Sequence, residues 1–155
     1  PDLQPERALR DLDATRLHRS FSTNAIGPAL VMRYFLPLLP PTGRGVFAAL
    51  SARVGSISDN RLGGWYGYRA SKAALNQFVR TAAVELARSR PEAVCVALHP
   101  GTVDTAMSQP FQRGVPADKL FTPTTSATRL LAVIDGLTPA DSGGFFDWAG
   151  EAVPF

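Results

Sequence analysis

Apolar residues recur along this chain with changing periods, and each change marks an element. Leu17, Phe21 and Ala25, then Leu30, Tyr34 and Leu38, return every four or five positions, the spacing of one helix face. Asp13, with Thr15 close behind, supplies the N-cap signal for this stretch. Pro28 falls inside it and has no N–H to give, which predicts a bend near Asn24. Residues 1–12 are polar and carry two prolines, so they read as a lead-in loop, and Leu39-Pro40-Pro41-Thr42-Gly43 closes the element. Gly45 to Ser51 is a short apolar run bounded by turn residues, the pattern of a buried strand.

Residues 52–64 are rich in Gly, Ser, Asn and Asp and read as a loop. From about Tyr66 to Arg88, Leu75, Phe78, Val79, Ala82 and Leu86 form one stripe suited to packing on a sheet. Ala93 to Leu98 reads as a second buried strand leading into His99-Pro100-Gly101-Thr102. Residues 103–121 have no period, and Met107, Phe111 and Phe121 are expected to be exposed among polar neighbours. Thr125 to Ile134 reads as a third helix and Gly143 to Trp148 as a third strand. Strand and helix alternate with long crossovers, which predicts an α/β fold with a parallel sheet and helices on its faces. Ligands of such sheets sit outside the carboxyl ends of the strands, where Ser51, the loop to Tyr68 and Gly101 to Thr105 would converge.

Composition narrows the picture. With 45% hydrophobic and 19% charged residues, the 155-residue chain has the make-up of one globular domain or a large piece of one. The net charge of +3 comes from scattered arginines without interleaved aromatics, so no nucleic-acid partner is expected. The single Cys95 excludes an internal disulfide, and no apolar run spans a bilayer, so a cytoplasmic protein without a membrane partner is expected. His18, His99 and Cys95 have no metal-ligand spacing. A Ser–His–Asp hydrolase is disfavoured by the absence of a G-x-S-x-G elbow. Gly43 to Ala48 fits G-x-G-x-x-A, but it precedes a strand instead of linking a strand to a helix.

The candidate chemistry is a phenol and an ammonium. Tyr68 stands four residues before Lys72 at the start of the second helix, so both face the same way. An ammonium beside a phenol favours the phenolate and eases proton exchange near neutral pH. The same spacing also occurs on ordinary solvated helix faces.

Around that pair, Asn24-Ala25-Ile26-Gly27-Pro28, Tyr68-Arg69-Ala70-Ser71-Lys72, Pro100-Gly101-Thr102-Val103-Asp104-Thr105 and Phe145-Phe146-Asp147-Trp148 stand in a fixed order. With these motifs the chain resembles the short-chain dehydrogenase/reductase family, in its carbonyl-reductase and C-factor-like branch. The resemblance implies the C-terminal part of a Rossmann-type doubly wound parallel sheet, with three strands and flanking helices in a single partial domain over 1–155. It implies an oxidoreductase using NAD or NADP on a small carbonyl or secondary alcohol. Tyr68 would exchange the proton, Lys72 would lower the Tyr68 pKa and hold the nicotinamide ribose, and Asn24 would order a water leading to solvent. Pro100 and Gly101, with the Val103 backbone and the Thr105 hydroxyl, would wrap the nicotinamide. The stretch after Thr105 would form the substrate lid, with Phe111 and Phe121 as its apolar surface. The helices around 15–38 and 66–88 would form a homo-oligomer interface.

Two departures qualify this. The family serine stands three residues before a glycine; counting from Gly55, that position holds Ala52. Ser51 is adjacent but alternates to the other strand face, and Ser56 lies in the loop; both are candidates for the missing hydroxyl. The glycine-rich turn, the acidic residue for the adenine ribose and the Asn-Asn-Ala-Gly strand are not in this sequence, so the pyrophosphate and adenine end of the cofactor has no binding source in it. The alternative function is therefore a non-catalytic interaction or signalling fragment that acts through its dimerisation helices. In either case the strand at Gly45–Ser51 is expected to present an open, apolar sheet edge.

Overall fold

The computed structural model describes residues 5–109 and 112–155. Three parallel strands, β1 (Val46–Leu50), β2 (Val94–His99) and β5 (Phe145–Asp147), form the main sheet in the order β1-β2-β5. Val46 pairs with Val94 and Leu50 with Leu98, while Ala97 pairs with Phe145 and His99 with Asp147. Helix α3 (Tyr66–Leu86) carries the chain from β1 to β2, and α4 (Pro123–Gly136) carries it from β2 towards β5. This is the expected α/β arrangement, and the strand and helix ends fall within a few residues of the expected ones.

The central strand is apolar throughout because both its faces are covered. Cys95 and Ala97 face a cluster with Leu75, Val79, Ala83 and Leu86 of α3. Val94, Val96 and Leu98 face the opposite side, against Leu130, Val133 and Ile134 of α4. Each large aliphatic side chain fully buried in these clusters stabilises the fold by roughly 1.5–3 kcal/mol. Strand β1 pairs only with β2 among the described residues, so its other edge is open as expected.

The first helical stretch is three pieces. α1 (Ala14–Phe21) starts where Asp13 Oδ1 accepts the Arg16 N–H at 2.9 Å. A wide π turn occupies Ser22–Ile26, and α2 (Gly27–Phe35) follows. In this wide turn the Gly27 N–H reaches past Thr23 to the Ser22 carbonyl, and Pro28 has no N–H for the Asn24 carbonyl. The expected bend is thus a π bulge centred on Asn24.

Two sequence expectations change. The stretch 103–121 is not wholly irregular: β3 (Thr102–Val103) and β4 (Leu120–Phe121) pair in parallel as a separate two-stranded sheet. Phe121 is buried at 4% exposure rather than exposed, because it packs edge-on against Trp148 at 4.8 Å. Met107 is exposed as expected, and Phe111 lies outside the described residues. The lead-in segment is also less passive than its polarity suggests, since it holds a short 3-10 turn at Leu9–Asp11 and buries Glu6.

Candidate active site

Tyr68 and Lys72 lie in the first two turns of α3, close to the carboxyl end of β1. The Lys72 Nζ donates to the Leu50 carbonyl at 3.0 Å and lies 5.9 Å from the centre of the Tyr68 ring. Leu50 is the last residue of β1, and the ladder turns its carbonyl towards the open edge, so the ammonium caps a strand end. Burial raises the Tyr68 pKa above its ordinary value and lowers that of Lys72. The expected depression of the phenol by Lys72 is therefore not the governing effect: the ammonium is spent on Leu50, and desolvation of the phenolate prevails.

Asn24 comes to the same place from the π bulge. Its Nδ2 donates to Ser71 Oγ at 3.1 Å, and that hydroxyl donates to the Tyr68 carbonyl at 2.9 Å. Ser71 is fully buried and ties the bulge to the first turn of α3. Sequence reading missed it because a helical serine usually bonds back to its own helix and signals nothing more.

The two candidate serines are occupied elsewhere. Ser51 is buried and its hydroxyl donates to Asn76 Oδ1 at 2.6 Å, under α3. Ser56 Oγ accepts the Asp59 N–H at 3.1 Å and shapes the loop. Ala52, between them in sequence, stands just after the strand end and is buried. Asn76, also missed, carries no sequence signal beyond being a polar residue within an apolar stripe.

The segment after β2 is built as a rigid turn. Gly101 has φ +79°, and a Cβ there would meet the Phe121 ring at 2.6 Å and Trp148 at 2.9 Å. Only glycine satisfies both the backbone and the space. Ser126 of α4 donates to the Pro100 carbonyl at 2.8 Å, and the Arg129 guanidinium lies 4.4 Å from the centres of both aromatic rings. Past the turn, the Asp104 N–H bonds Phe121 across β3–β4, which directs the Val103 amide and carbonyl away from β4. Ser108 closes the loop by donating to the Val103 carbonyl at 2.5 Å, and its oxygen accepts the Thr105 N–H at 3.2 Å.

His99 lies at the end of β2 with its Nδ1 buried and unpartnered among the described residues. Burial lowers its pKa to about 4, the Asp147 carboxylate opposing and Arg53 assisting. It is a neutral, strand-end imidazole. Cys95 is buried, and burial raises its thiol to about 11. No group of His, Cys, Asp and Glu able to hold a metal occurs among the described residues.

The start of α3 has an unusual cap. Trp65, the N-cap residue, has φ 53° and ψ 42°, and its side chain makes no capping bond. The cap comes instead from Glu6, whose carboxylate accepts the Gly67 N–H at 3.1 Å and whose carbonyl accepts the Trp65 N–H at 2.6 Å. A carboxylate at a helix N-terminus is favoured by the helix dipole. Sequence reading missed Glu6 because its partner lies about sixty residues away.

A phenol and an ammonium at the carboxyl end of a parallel sheet, beside a glycine turn braced by aromatics, define a class of site. The family model described as short chain dehydrogenase matches residues 3–115. The chain is 42% identical to the C-signal of Myxococcus xanthus over 149 residues, covering 96% of this chain and 84% of that protein. The carbonyl reductase Sniffer of D. melanogaster superposes with a TM-score of 0.83 at 28% identity, over 97% of this chain and 61% of the other. An NADPH-bound carbonyl reductase from chicken fatty liver gives a TM-score of 0.83 at 29% identity and the same coverages. The chain belongs to the short-chain dehydrogenase family of oxidoreductases, of which it carries a C-terminal portion. It spans about three fifths of the length of either carbonyl reductase.

Proposed function

We propose that this chain carries the proton-transfer half of an NAD(P)-dependent oxidoreductase that interconverts a carbonyl compound and a secondary alcohol. The observation that supports it best is the meeting of Tyr68, Lys72 and Asn24 at the end of β1 beside a turn that admits only glycine. When bound, the nicotinamide supplies or accepts the hydride. The residues present suit its nicotinamide end: Lys72 for the ribose, Val103 and Thr105 for the carboxamide, and Pro100–Gly101 as the floor. The pyrophosphate and adenine end would need residues that this chain does not contribute.

In reduction, Tyr68 gives its proton to the substrate oxygen. Burial keeps the phenol protonated at neutral pH, so the proton is available to give. The phenolate left behind draws on the nearby Lys72 ammonium, whose own charged form is disfavoured by burial. Asn24 holds the helix start through Ser71 and, with its carbonyl released by Pro28, offers a seat for a water leading to solvent. Ala52 leaves the substrate oxygen one hydrogen bond short on the strand side. The reading places a single partial domain in the cytoplasm, associating through the helices around 15–38 and 66–88. NADPH and NADH titration of the chain by calorimetry tests it, followed by carbonyl-dependent oxidation of the reduced cofactor. Binding of the reduced cofactor by a folded chain without any carbonyl-dependent turnover would remove it.

A second reading is a non-catalytic interaction module acting through those helices. It is favoured by the similarity to the C-signal over nearly the whole chain and by Tyr34, Phe35 and Leu38, each more than half exposed. Tyr68→Phe separates the two, since it removes the chemistry and leaves the surfaces.

A further inference from the structure

Away from Tyr68, a cleft of about 420 Å³ lies between α4 and the β5 end of the chain. One wall is helical: Arg129, Val133 and Gly136 stand at i, i+4 and i+7 and share one face of α4. The other wall holds Phe146 of β5 and Trp148 just beyond it, both turned towards α4. Gly136 keeps the cleft open. Its φ is not positive, and a Cβ there would meet no atom within 4 Å, so neither strain nor crowding explains the glycine.

The two ends of the cleft carry opposite charges. The Arg129 guanidinium lies 4.4 Å from the centres of the Phe121 and Trp148 rings, yet it makes no hydrogen bond or ion pair among the described residues. A guanidinium is planar and its N–H donors point outward in that plane, so ring faces hold it in place without using a donor. Arg129 is also only partly exposed. The result is a positioned cation with uncommitted donors. From Arg129 to Gly136 the helix rises about 10 Å, and Asp141 lines the cleft beyond that end. Its Oδ2 accepts the Thr138 N–H and hydroxyl, both at 2.8 Å, and these bonds hold its carboxyl below the ordinary pKa.

We propose that this cleft binds a small aryl carboxylate, with the carboxylate on Arg129, the ring between Val133 and the Phe146–Trp148 wall, and a hydroxyl or N–H towards Asp141. A carboxylate matches the guanidinium fork in two parallel N–H···O bonds. An apolar cleft with a few polar groups, within roughly 300–1,000 Å³, has the make-up of a small-molecule site. The proposal does not rest on the oxidoreductase reading, since Tyr68, Lys72 and Asn24 do not line the cleft. An arginine that only braced the two rings would give the cleft no preference for charge.

Calorimetric titration of the wild-type chain with 4-hydroxyphenylacetate and with its neutral amide tests this. The acid should bind at least about tenfold more tightly than the amide, and Arg129→Gln should abolish the difference. Arg129→Gln also weakens the ring brace, so Gly136→Leu serves as a second variant. It fills the cleft from a position with no neighbour to displace, and should weaken acid binding about tenfold while leaving the thermal midpoint nearly unchanged. Equal binding of acid and amide, or equal binding of the acid by wild type and Gly136→Leu, overturns the proposal. So does a folded wild type that binds no acid at millimolar concentration; if Gly136→Leu then also lowers self-association in light scattering, the cleft belongs to a second copy of the chain.

Discussion

At the scale of single residues, burial shifts four side chains in opposite senses and gives each a different consequence. Tyr68 and Cys95 are pushed up, so both are protonated at neutral pH; Lys72 and His99 are pushed down. Tyr68→Phe should lower kcat by about 10²–10⁴-fold with little change in KM, read by steady-state oxidation of NADPH. A smaller effect would mean that the proton comes from elsewhere. Ala52→Ser should move kcat the other way, by up to about 10²-fold, because it supplies a hydroxyl at the strand end. His99 predicts a stability window. In the unfolded chain the imidazole charges near pH 6.5, but in the fold only near pH 4. Stability should be indifferent to it above pH 6.5 and fall as pH drops towards 4, by on the order of 3 kcal/mol. Urea midpoints at pH 7 and 4.5 should therefore differ more in the wild type than in His99→Asn; equal differences would assign the acid sensitivity to other groups.

At the scale of elements, the site depends on two local devices that join distant parts of the chain. The Pro100–Gly101 turn is clamped between Phe121, Trp148 and the start of α4. Gly101→Ala must accept both a left-handed Cβ and a ring displaced from 2.6 Å, and should cost about 2 kcal/mol or more. Thermal unfolding would read this, and an unchanged Tm would show that the aromatic brace yields freely. The head of α3 depends on Glu6, and Glu6→Ala should cost about 1 kcal/mol. Because the cap acts on the first turn alone, hydrogen exchange should speed up around 66–70 and not at 80–86. Helix α3, the three strands of the main sheet and the bend from Pro28 were legible because each follows from spacing or from one residue type. The β3–β4 pair was not: two-residue strands carry no period, and their pairing is set by the Gly101 turn that brings them together.

At the scale of the whole molecule, the open edge of β1 and the apolar side of α2 are one continuous question of burial. Leu30, Val31, Tyr34, Phe35 and Leu38 are each more than two fifths exposed, and Leu50 on the sheet edge is 59% exposed. An unpaired edge strand and an exposed apolar helix face both favour association. The 155-residue chain should therefore elute at a size that grows with concentration, and Phe35→Glu with Leu38→Glu should reduce that growth. A concentration-independent monomer in light scattering would show that these surfaces are tolerated in water. No helix among the described residues is long and apolar enough to cross a membrane.

By itself the sequence determined the alternation of strands and helices, a bend near Asn24 and the spacing of Tyr68 and Lys72, since periodicity and the missing proline N–H are local properties. The tertiary structure decided which groups are free to act. It spent Ser51 on Asn76, Ser56 on the loop and Lys72 on Leu50, and it buried Tyr68 so that desolvation outweighs the ammonium. It also brought Glu6 under α3 and set Trp65 beside Tyr68 in a strained backbone. The Ser56–Asp59 bond and the Trp65–Tyr68 contact are local, each three residues apart, but the partners of Ser51, Lys72 and Glu6 lie more than twenty positions away, where no short window of sequence contains both.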